Sequence, residues 1–431
     1  MTIAMIGFIA AFLLIFARVP VAIALSVVGF GGMCWSLGWK FAMASLALTF
    51  KETTMSYTLS VIPLFILMGN VVGRTGLAEE LYEAARAAVG RFRGGLAFAT
   101  ILSCGGFAAV SGSSVATAVT MSQVAIPQMR KRGYSDQLST GAVAAGGTLG
   151  ILIPPSVIMV IYGVSTETHI GKLFAAGMLP GLLGIVGYML AISWVIYRNP
   201  EFAPEGERMS RSDMLQAFSK VWAVLLLFIV VIGGIYGGVF TPTEAAGIGA
   251  SFSLLIAIVR RTMNWSKFVE VLTATAWTST TIFAILIGAT YFSEFLNFTG
   301  AHSGLLTLIR DSGLSPASVI AIILVVYVVL GCFLESLSMM LLTIPLFFPV
   351  VIGLGFDPVW FGIIVVMAVE IGLITPPLGM NLFVLKSVIS DVKLITLYRG
   401  ALPFVVVDVF RLTLLALFPA ISLILPNLLF K

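Results

Sequence analysis

The sequence predicts an all-α polytopic membrane protein made of two halves of one plan, and three observations carry that prediction. Of 431 residues, 59% are hydrophobic and only 10% charged, with a mean hydropathy of +1.09; soluble domains carry about a quarter charged residues. Apolar windows of about 20 residues recur from end to end, the length a helix needs to cross hydrocarbon. Two of these windows are interrupted by the same device: residues 150–156 read Gly-Ile-Leu-Ile-Pro-Pro-Ser and residues 372–378 read Gly-Leu-Ile-Thr-Pro-Pro-Leu. A proline removes a backbone donor and clashes with the preceding turn, so neither window can be one unbroken helix. Backbone groups freed in this way persist in a membrane only where they are buried in protein or line a polar cavity.

Composition excludes several classes. Eighteen prolines and 43 glycines fit membrane helices better than the strict alternation of a barrel. The net charge of +5 needs no nucleic-acid partner; basic loops that set topology account for it. Cys34, Cys104 and Cys332 have no CxxC spacing and lie in apolar segments, as packing residues do. With only His169 and His302 present, a histidine-based metal or catalytic site is not expected. Walker A, HExxH and GxSxG signatures are absent, and no base flanks the serines, so neither ATP hydrolysis nor enzyme chemistry is predicted.

Taken in order, residues 3–17 and 19–36 are apolar runs parted by Arg18-Val19-Pro20, and the first is expected to be a retained span rather than a cleaved leader. Trp35 and Trp39, beside Lys40, suit an interfacial belt. A span at about 57–72 leads to a mixed-charge amphipathic segment at 74–93, expected to lie along the membrane surface. Residues 94–129 carry no charge and are bracketed by Arg91 and Arg93 on one side and Arg130-Lys131-Arg132 on the other. Both ends therefore belong on the cytoplasmic side. Folded about Ser111-Gly112-Ser113-Ser114, each arm has about 15 residues, or ~22 Å of helix, short of the roughly 30 Å core. That predicts a re-entrant hairpin.

The first Pro-Pro window follows at about 137–166, then a span at about 173–197. Residues 198–220 form a hydrophilic cytoplasmic linker with Pro200 and Pro204. Spans at about 221–240, 243–259 and 271–296 open the second half. The plan is thus N-terminal scaffold spans at 1–56, a first repeat at 57–197, the linker at 198–220, scaffold spans at 221–270 and a second repeat at 271–431. The second repeat holds a hairpin at about 314–356 and a broken helix at about 359–388. At a constant offset of 222 positions, Pro127, Gly133, Gly150 and Pro154-Pro155 match Pro349, Gly355, Gly372 and Pro376-Pro377. Gly105-x-Phe107 matches Gly331-x-Phe333, and Lys172-Leu173 and Pro180 match Lys393-Leu394 and Pro403, with small shifts. Asn70, Asn297 and Thr299-Gly300 extend the match faintly upstream. The second hairpin is flanked by Arg310 and by Gly355-Phe356-Asp357-Pro358, whereas Lys386, Lys393 and Arg399 follow the second break. Its ends therefore belong outside, which makes the halves inverted repeats of the kind found in secondary transporters. The first arm of this hairpin, about 316–334, is long enough to span.

Hairpin tips and broken helices that meet at mid-membrane offer helix N-termini to an anion and free carbonyls to a cation. In the first half, the hydroxyls of Ser111, Ser113 and Ser114 and the carbonyls of Gly150, Ile153 and Pro155 suit a hard cation such as Na⁺. The counterparts are Gly331, Gly372, Thr375 and Leu378, beside Glu335, Ser336 and Ser338. Contacts to an anionic substrate are expected from Ser114, Pro154, Ser156, Glu335, Ser336, Ser338, Pro376 and Asn381. Carboxylates within apolar segments are costly and usually functional; Glu335 at the second tip suits cation binding or tip placement, Glu370 suits either orienting the break or an ion pair with a basic residue, and an internal salt bridge is the structural alternative for each. A channel is the reading that the broken helices exclude least.

Five stretches, FAAVSGSSVATAV, IPQMRKRGY, GTLGILIPPSVIMVIYGV, GCFLESLSMMLLTIPLFFPVV and EIGLITPPLGMNLFVLKSV, resemble the large membrane subunit of tripartite ATP-independent periplasmic (TRAP) transporters. The resemblance covers essentially the whole chain, and its Pro-Pro breaks are similar to those of the wider ion-transporter superfamily. It implies an elevator carrier with a scaffold and a mobile transport domain, coupled to two or more Na⁺ and importing an organic acid across the bacterial inner membrane. One Na⁺ site would involve Ser111–Ser114 with Gly150, Ile153 and Pro155, the other Gly331, Gly372, Thr375 and Leu378. The implied partners are a small TRAP membrane subunit on a separate chain and a periplasmic substrate-binding protein. Both termini are expected to be periplasmic. The alternative is a stand-alone anion/Na⁺ symporter or an ion antiporter of the same superfamily.

Overall fold

The computed structural model describes residues 2–430, leaving His302 and Arg310 without described side chains, so the sequence expectations that rest on those two side chains lie outside it. Every regular element among the described residues is helical. The chain opens with α1 (Thr2–Phe16) and α2 (Val21–Leu37), separated at Arg18 and Pro20 as expected. Next comes a helix that the sequence analysis does not single out, α3 (Trp39–Thr54), followed after a sharp bend by α4 (Val61–Gly73). Lys40, Lys51 and Glu52 dilute the hydropathy of α3, which is why no apolar window announces it.

The first half continues with the amphipathic α5 (Leu77–Val89), a hairpin of α6 (Gly95–Ser111) and α7 (Ser114–Lys131), a discontinuous pair α8 (Asp136–Thr148) and α9 (Val157–Ser165), and α10 (Ile170–Arg198). Helix α5 buries Leu77, Leu81 and Tyr82 against the bundle while Glu79 stays exposed, so its apolar face is covered by protein. The hydrophilic linker includes α11 (Arg211–Lys220), which runs on into α12 (Trp222–Phe228), a π turn and α13 (Gly234–Tyr236). Then follow α14 (Pro242–Val259) and the 34-residue α15 (Trp265–Phe298). The second half repeats the order of the first: a short helix α16 (Ala301–Asp311), a hairpin of α17 (Pro316–Gly331) and α18 (Ser336–Gly353), a discontinuous pair α19 (Pro358–Ile374) and α20 (Met380–Val388), and α21 (Leu394–Leu417). Helix α22 (Ala420–Leu429) closes the chain against α10. Six helices among the described residues are long and apolar enough to cross a membrane.

The hairpins match in size. Their arms hold 17 and 18 residues in the first half and 16 and 18 in the second. The first arm of the second hairpin is regular helix from Pro316 to Gly331, about 24 Å at ~1.5 Å per residue, and a last i→i−4 bond carries it on to Leu334.

Local chemistry fixes where these helices start. Ser113 caps α7 by accepting from Ala116 N at 3.3 Å. Asp357 caps α19, accepting from Val359 N at 2.8 Å and Trp360 N at 3.0 Å, with Pro358 as the first helical residue. Thr241 and Glu244 form a capping box at α14.

The discontinuous helices run antiparallel. Near the end of α9, the Tyr162 hydroxyl donates to the Pro358 carbonyl at the start of α19, at 2.6 Å. At the opposite end, Arg130 sits 2.6 Å from Asp136 at the start of α8 and 2.8 Å from Asp391 beyond α20. Hydrogen bonding to Arg130 holds the Asp391 carboxyl below its ordinary value, so this contact is present at neutral pH and is lost as pH falls through the lowered value. Linker residues brace the same end: Arg93 donates to the carbonyls of Pro200 at 2.6 Å and Ala203 at 3.2 Å.

Helices α8 and α21 approach backbone to backbone. A Cβ at Gly141 would lie 2.2 Å from the Gly400 carbonyl oxygen, and one at Gly400 would lie 2.1 Å from that of Gln137. Gly141→Val should therefore destabilise the protein by about 1–3 kcal/mol or more, read as a lower thermal midpoint in detergent; an unchanged midpoint would show that the two helices do not meet there.

Candidate functional site

The turns of the two hairpins meet at one cavity. Its volume is about 340 Å³, and its wall includes Ser111, Ser113 and Ser114 from the first turn and Glu335, Ser336 and Leu337 from the second. Ile151 and Val157 reach it from the first break, and Leu373 and Met380 from the second. Asn70 of α4 and Thr278 of α15 complete its polar lining. No lysine, arginine or histidine is among its lining residues.

Each turn is packed onto the break of its own half through glycine. A Cβ on Gly150 would stand 2.5 Å from the Ser113 carbonyl oxygen and 2.8 Å from the Thr117 hydroxyl. One on Gly112, whose φ is +63°, would stand 2.7 Å from the Pro155 carbonyl oxygen. In the second half, a Cβ on Gly372 would stand 2.5 Å from the Gly331 carbonyl carbon and 2.8 Å from its oxygen. These contacts bring the oxygens of Ser113 and Gly331 against the breaks and that of Pro155 against the first turn, and only glycine allows so close an approach of backbone to backbone. Both Pro-Pro bonds are cis.

Hydroxyls satisfy much of the first half internally. The Ser111 and Thr117 hydroxyls are 2.8 Å apart, and Thr117 donates to the Ser113 carbonyl at 2.7 Å. Ser156, fully buried, donates to the Ile151 carbonyl at 2.6 Å and caps α9 by accepting from Met159 N at 3.3 Å. Ile153, Pro154 and Pro155 are buried in the same break. The second break differs, for Pro376, Pro377 and Leu378 are exposed. Tyr398 donates to the Pro377 carbonyl, and the Thr375 hydroxyl is turned back onto the Ile371 carbonyl at 2.6 Å. Asn381 is buried against α8 rather than in the cavity wall: Nδ2 lies 3.5 Å from the Ala144 carbonyl, and Oδ1 has no hydrogen-bond partner among the described residues.

Glu335 holds the second turn in place. Its Oε2 accepts from Leu337 N and Ser338 N, both at 3.1 Å, and from the Ser338 hydroxyl at 3.3 Å. The carboxylate thus occupies the positive end of α18, which leaves the N-terminus of α7, capped only by a neutral serine, as the freer of the two for an anion.

Glu370 forms an ion pair, the second of the two roles expected for it. Its Oε2 accepts from Arg411 Nη2 at 2.6 Å, and both residues are buried. The sequence analysis does not single out Arg411, Asp408 or Tyr188, the rest of this cluster, nor Asn70 and Thr278 as parts of the cavity. Two opposite charges three residues apart in an apolar run, Asp408 and Arg411, are a signal that could have found the first two. The polar residues of α15 blend into a threonine- and serine-rich stretch and offer no such signal. The three cysteines are free, and no cluster of His, Cys, Asp or Glu able to hold a metal occurs among the described residues.

An apolar helical bundle with a small cavity at two helix breaks, where a few hydroxyls and one carboxylate stand among apolar side chains, is the build of a polytopic membrane protein. The family model for the DctM component of tripartite ATP-independent periplasmic transporters matches residues 8–421, and the chain belongs to that family. It is 40% identical over 387 residues to the C4-dicarboxylate TRAP transporter large permease protein of Pseudomonas aeruginosa, covering 90% of each chain. It is 34% identical to the sialic acid TRAP transporter large permease protein of Vibrio cholerae, covering 96% of each. These relatives are permease subunits and not enzymes. Among solved structures, the YdaH transporter of Alcanivorax borkumensis shares the fold, with a TM-score of 0.65 over 89% of each chain at 15% identity.

Removing the carboxylate at the second turn tests its capping role. Glu335→Ala should cost about 0.5–2 kcal/mol, seen as a lower thermal midpoint in detergent, and Glu335→Asp should recover part of it. Equal midpoints for all three proteins would contradict the cap.

Proposed function

We propose that the chain is the large permease of a Na⁺-coupled secondary transporter that imports an organic acid across the bacterial inner membrane. The observation that carries this reading is the shared cavity, where the turns of both hairpins come together with hydroxyls, carbonyls and one carboxylate, and without a basic side chain. The donor set fits a hard monovalent cation, which prefers oxygen ligands. In the first half Ser111, Ser113 and Ser114 with Gly150, Ile153 and Pro155 would hold it; in the second, Gly331, Gly372, Thr375 and Leu378. When bound, Na⁺ supplies positive charge beside the cavity, which offsets the charge of a carboxylate that no lysine or arginine meets there.

The substrate carboxylate is assigned to the N-terminus of α7, beside Ser114, with Pro154, Ser156, Ser336, Ser338, Pro376 and Asn381 as the remaining candidate contacts or supports. The antiparallel course of the two discontinuous helices supports inverted repeats. In the elevator that this implies, the hairpins and broken helices move as one body against a scaffold that includes α15, which packs along α2, α3 and α4. A small membrane subunit on a separate chain and a periplasmic binding protein complete the transporter, and both termini face the periplasm.

Uptake of radiolabelled organic acids into liposomes that contain the permease and the small subunit, with binding protein outside, tests the assignment. Gly150→Val and Thr375→Asn should each lower Na⁺-driven uptake by about tenfold or more, because a displaced oxygen ligand costs on the order of 1.4 kcal/mol or more. Full activity in both variants would overturn the site. Uptake that needs no binding protein would instead indicate a stand-alone symporter.

A further inference from the structure

A second polar cavity lies away from the transport site, at the end of the molecule where the first hairpin begins and ends. Its volume is about 470 Å³. Its wall carries Arg86 of α5, Lys131 and Arg132 at the foot of the hairpin, and Arg208 of the hydrophilic linker, with Glu205 and Glu207 as its acidic residues. The transport assignment makes no use of it.

The linker is fastened across this end of the hairpin. Ser135 N donates to the Phe202 carbonyl at 3.0 Å. A Cβ on Gly206 would stand 2.4 Å from the Arg91 carbonyl oxygen and 2.6 Å from that of Gly90, so the linker backbone is pressed onto the turn between α5 and α6. That seating brings Glu205, Glu207 and Arg208 to the cavity beside the hairpin foot, where Glu207 lies 3.2 Å from Arg132.

The donors here outnumber the acceptors the protein supplies. Arg86 Nη2 is 2.7 Å from Glu83 Oε2, while its Nε is shut off from solvent and has no hydrogen-bond partner among the described residues. Tyr134, buried in the cavity wall, accepts from Leu96 N at 3.2 Å, and its own hydroxyl proton has no acceptor among the described residues. The side chains of Lys131 and Arg208 have neither an ion pair nor a hydrogen bond among the described residues. Glu205 is exposed and likewise unpaired there, so with Glu83 counted four cations stand against three carboxylates. Buried donors without acceptors beside unpaired cations make a place for an anion. Guanidinium groups match the oxygens of phosphate, and a tetrahedral oxyanion takes donors from more directions than a carboxylate does. A basic pocket at the ends of membrane helices is also within reach of lipid headgroups.

We propose that this cavity binds a phosphate group, held by Arg86, Lys131, Arg132 and Arg208 with the Tyr134 hydroxyl, and that the bound anion fastens the linker to the foot of the first hairpin. A free phosphate ion and the headgroup of an anionic phospholipid both supply that chemistry.

The test is the thermal midpoint of the delipidated full chain in neutral detergent. In one series potassium phosphate replaces potassium chloride at constant ionic strength; in a parallel series phosphatidylglycerol replaces phosphatidylcholine in mixed micelles. A rising midpoint in the first series identifies the free ion as the ligand, and a rise in the second alone identifies the lipid headgroup. In the series that responds, Lys131→Gln and Arg208→Gln should each raise the half-saturating concentration by about three- to tenfold. Each removes a cation that has no partner in the protein, so the unliganded fold keeps its contacts. Lys393→Gln, which removes an exposed cation outside the cavity, should leave that concentration in place. No response in either series overturns the proposal. So does an unchanged half-saturating concentration in either cavity variant, or an equal rise in Lys393→Gln.

Discussion

One constraint governs this fold: backbone polar groups released by a helix break inside an apolar bundle must find partners within the protein. The chain meets it twice by the same route. A hairpin turn is laid against each Pro-Pro break, close enough that Gly112, Gly150 and Gly372 leave no room for a Cβ. Ser156, Thr117 and Tyr398 then donate to carbonyls that the breaks and turns expose. A cavity with a few polar groups in a largely apolar wall is the by-product of this packing. The oxygens that do not pair with protein groups are the ones available to a cation or a substrate.

The two halves meet the constraint unequally. The first break is buried throughout, and its serine caps the helix that follows. The second leaves Pro376–Leu378 exposed, and its helix α20 begins at Gly379 in the left-handed conformation, without a side-chain cap. The turns differ as well, with neutral Ser113 capping α7 and the carboxylate of Glu335 capping α18. The two hairpins thus present two chemically distinct helix ends to one cavity.

Much of this is legible in the amino-acid sequence. Proline and glycine punctuation marks the breaks and turns because those residues act on the backbone directly. Charged residues at the ends of the uncharged segments give each hairpin its extent. What escaped has physical reasons. Helix α3 carries three charged residues and falls below any apolar window; α16 is short and amphipathic. Asn70 and Thr278 gain their role only because α4 and α15 pass the same point in space, which no local pattern encodes. Asp408 and Arg411 cancel in a charge count, so a scan for isolated carboxylates stops at Glu335 and Glu370. The exposure of Pro376 and the turn of Asn381 away from the cavity depend on how α20 seats against α7 and α8, and sequence spacing is silent on that.

Under the proposed function, the cavity closed by the turns of both hairpins faces each side of the membrane in turn and responds to Na⁺. The most direct test is the reaction of Ser336→Cys with a membrane-impermeant thiol reagent, in oriented vesicles of a protein lacking Cys34, Cys104 and Cys332. The account predicts labelling from either side, with Na⁺ changing the rate on both. Labelling confined to one side, at a rate indifferent to Na⁺, would contradict it.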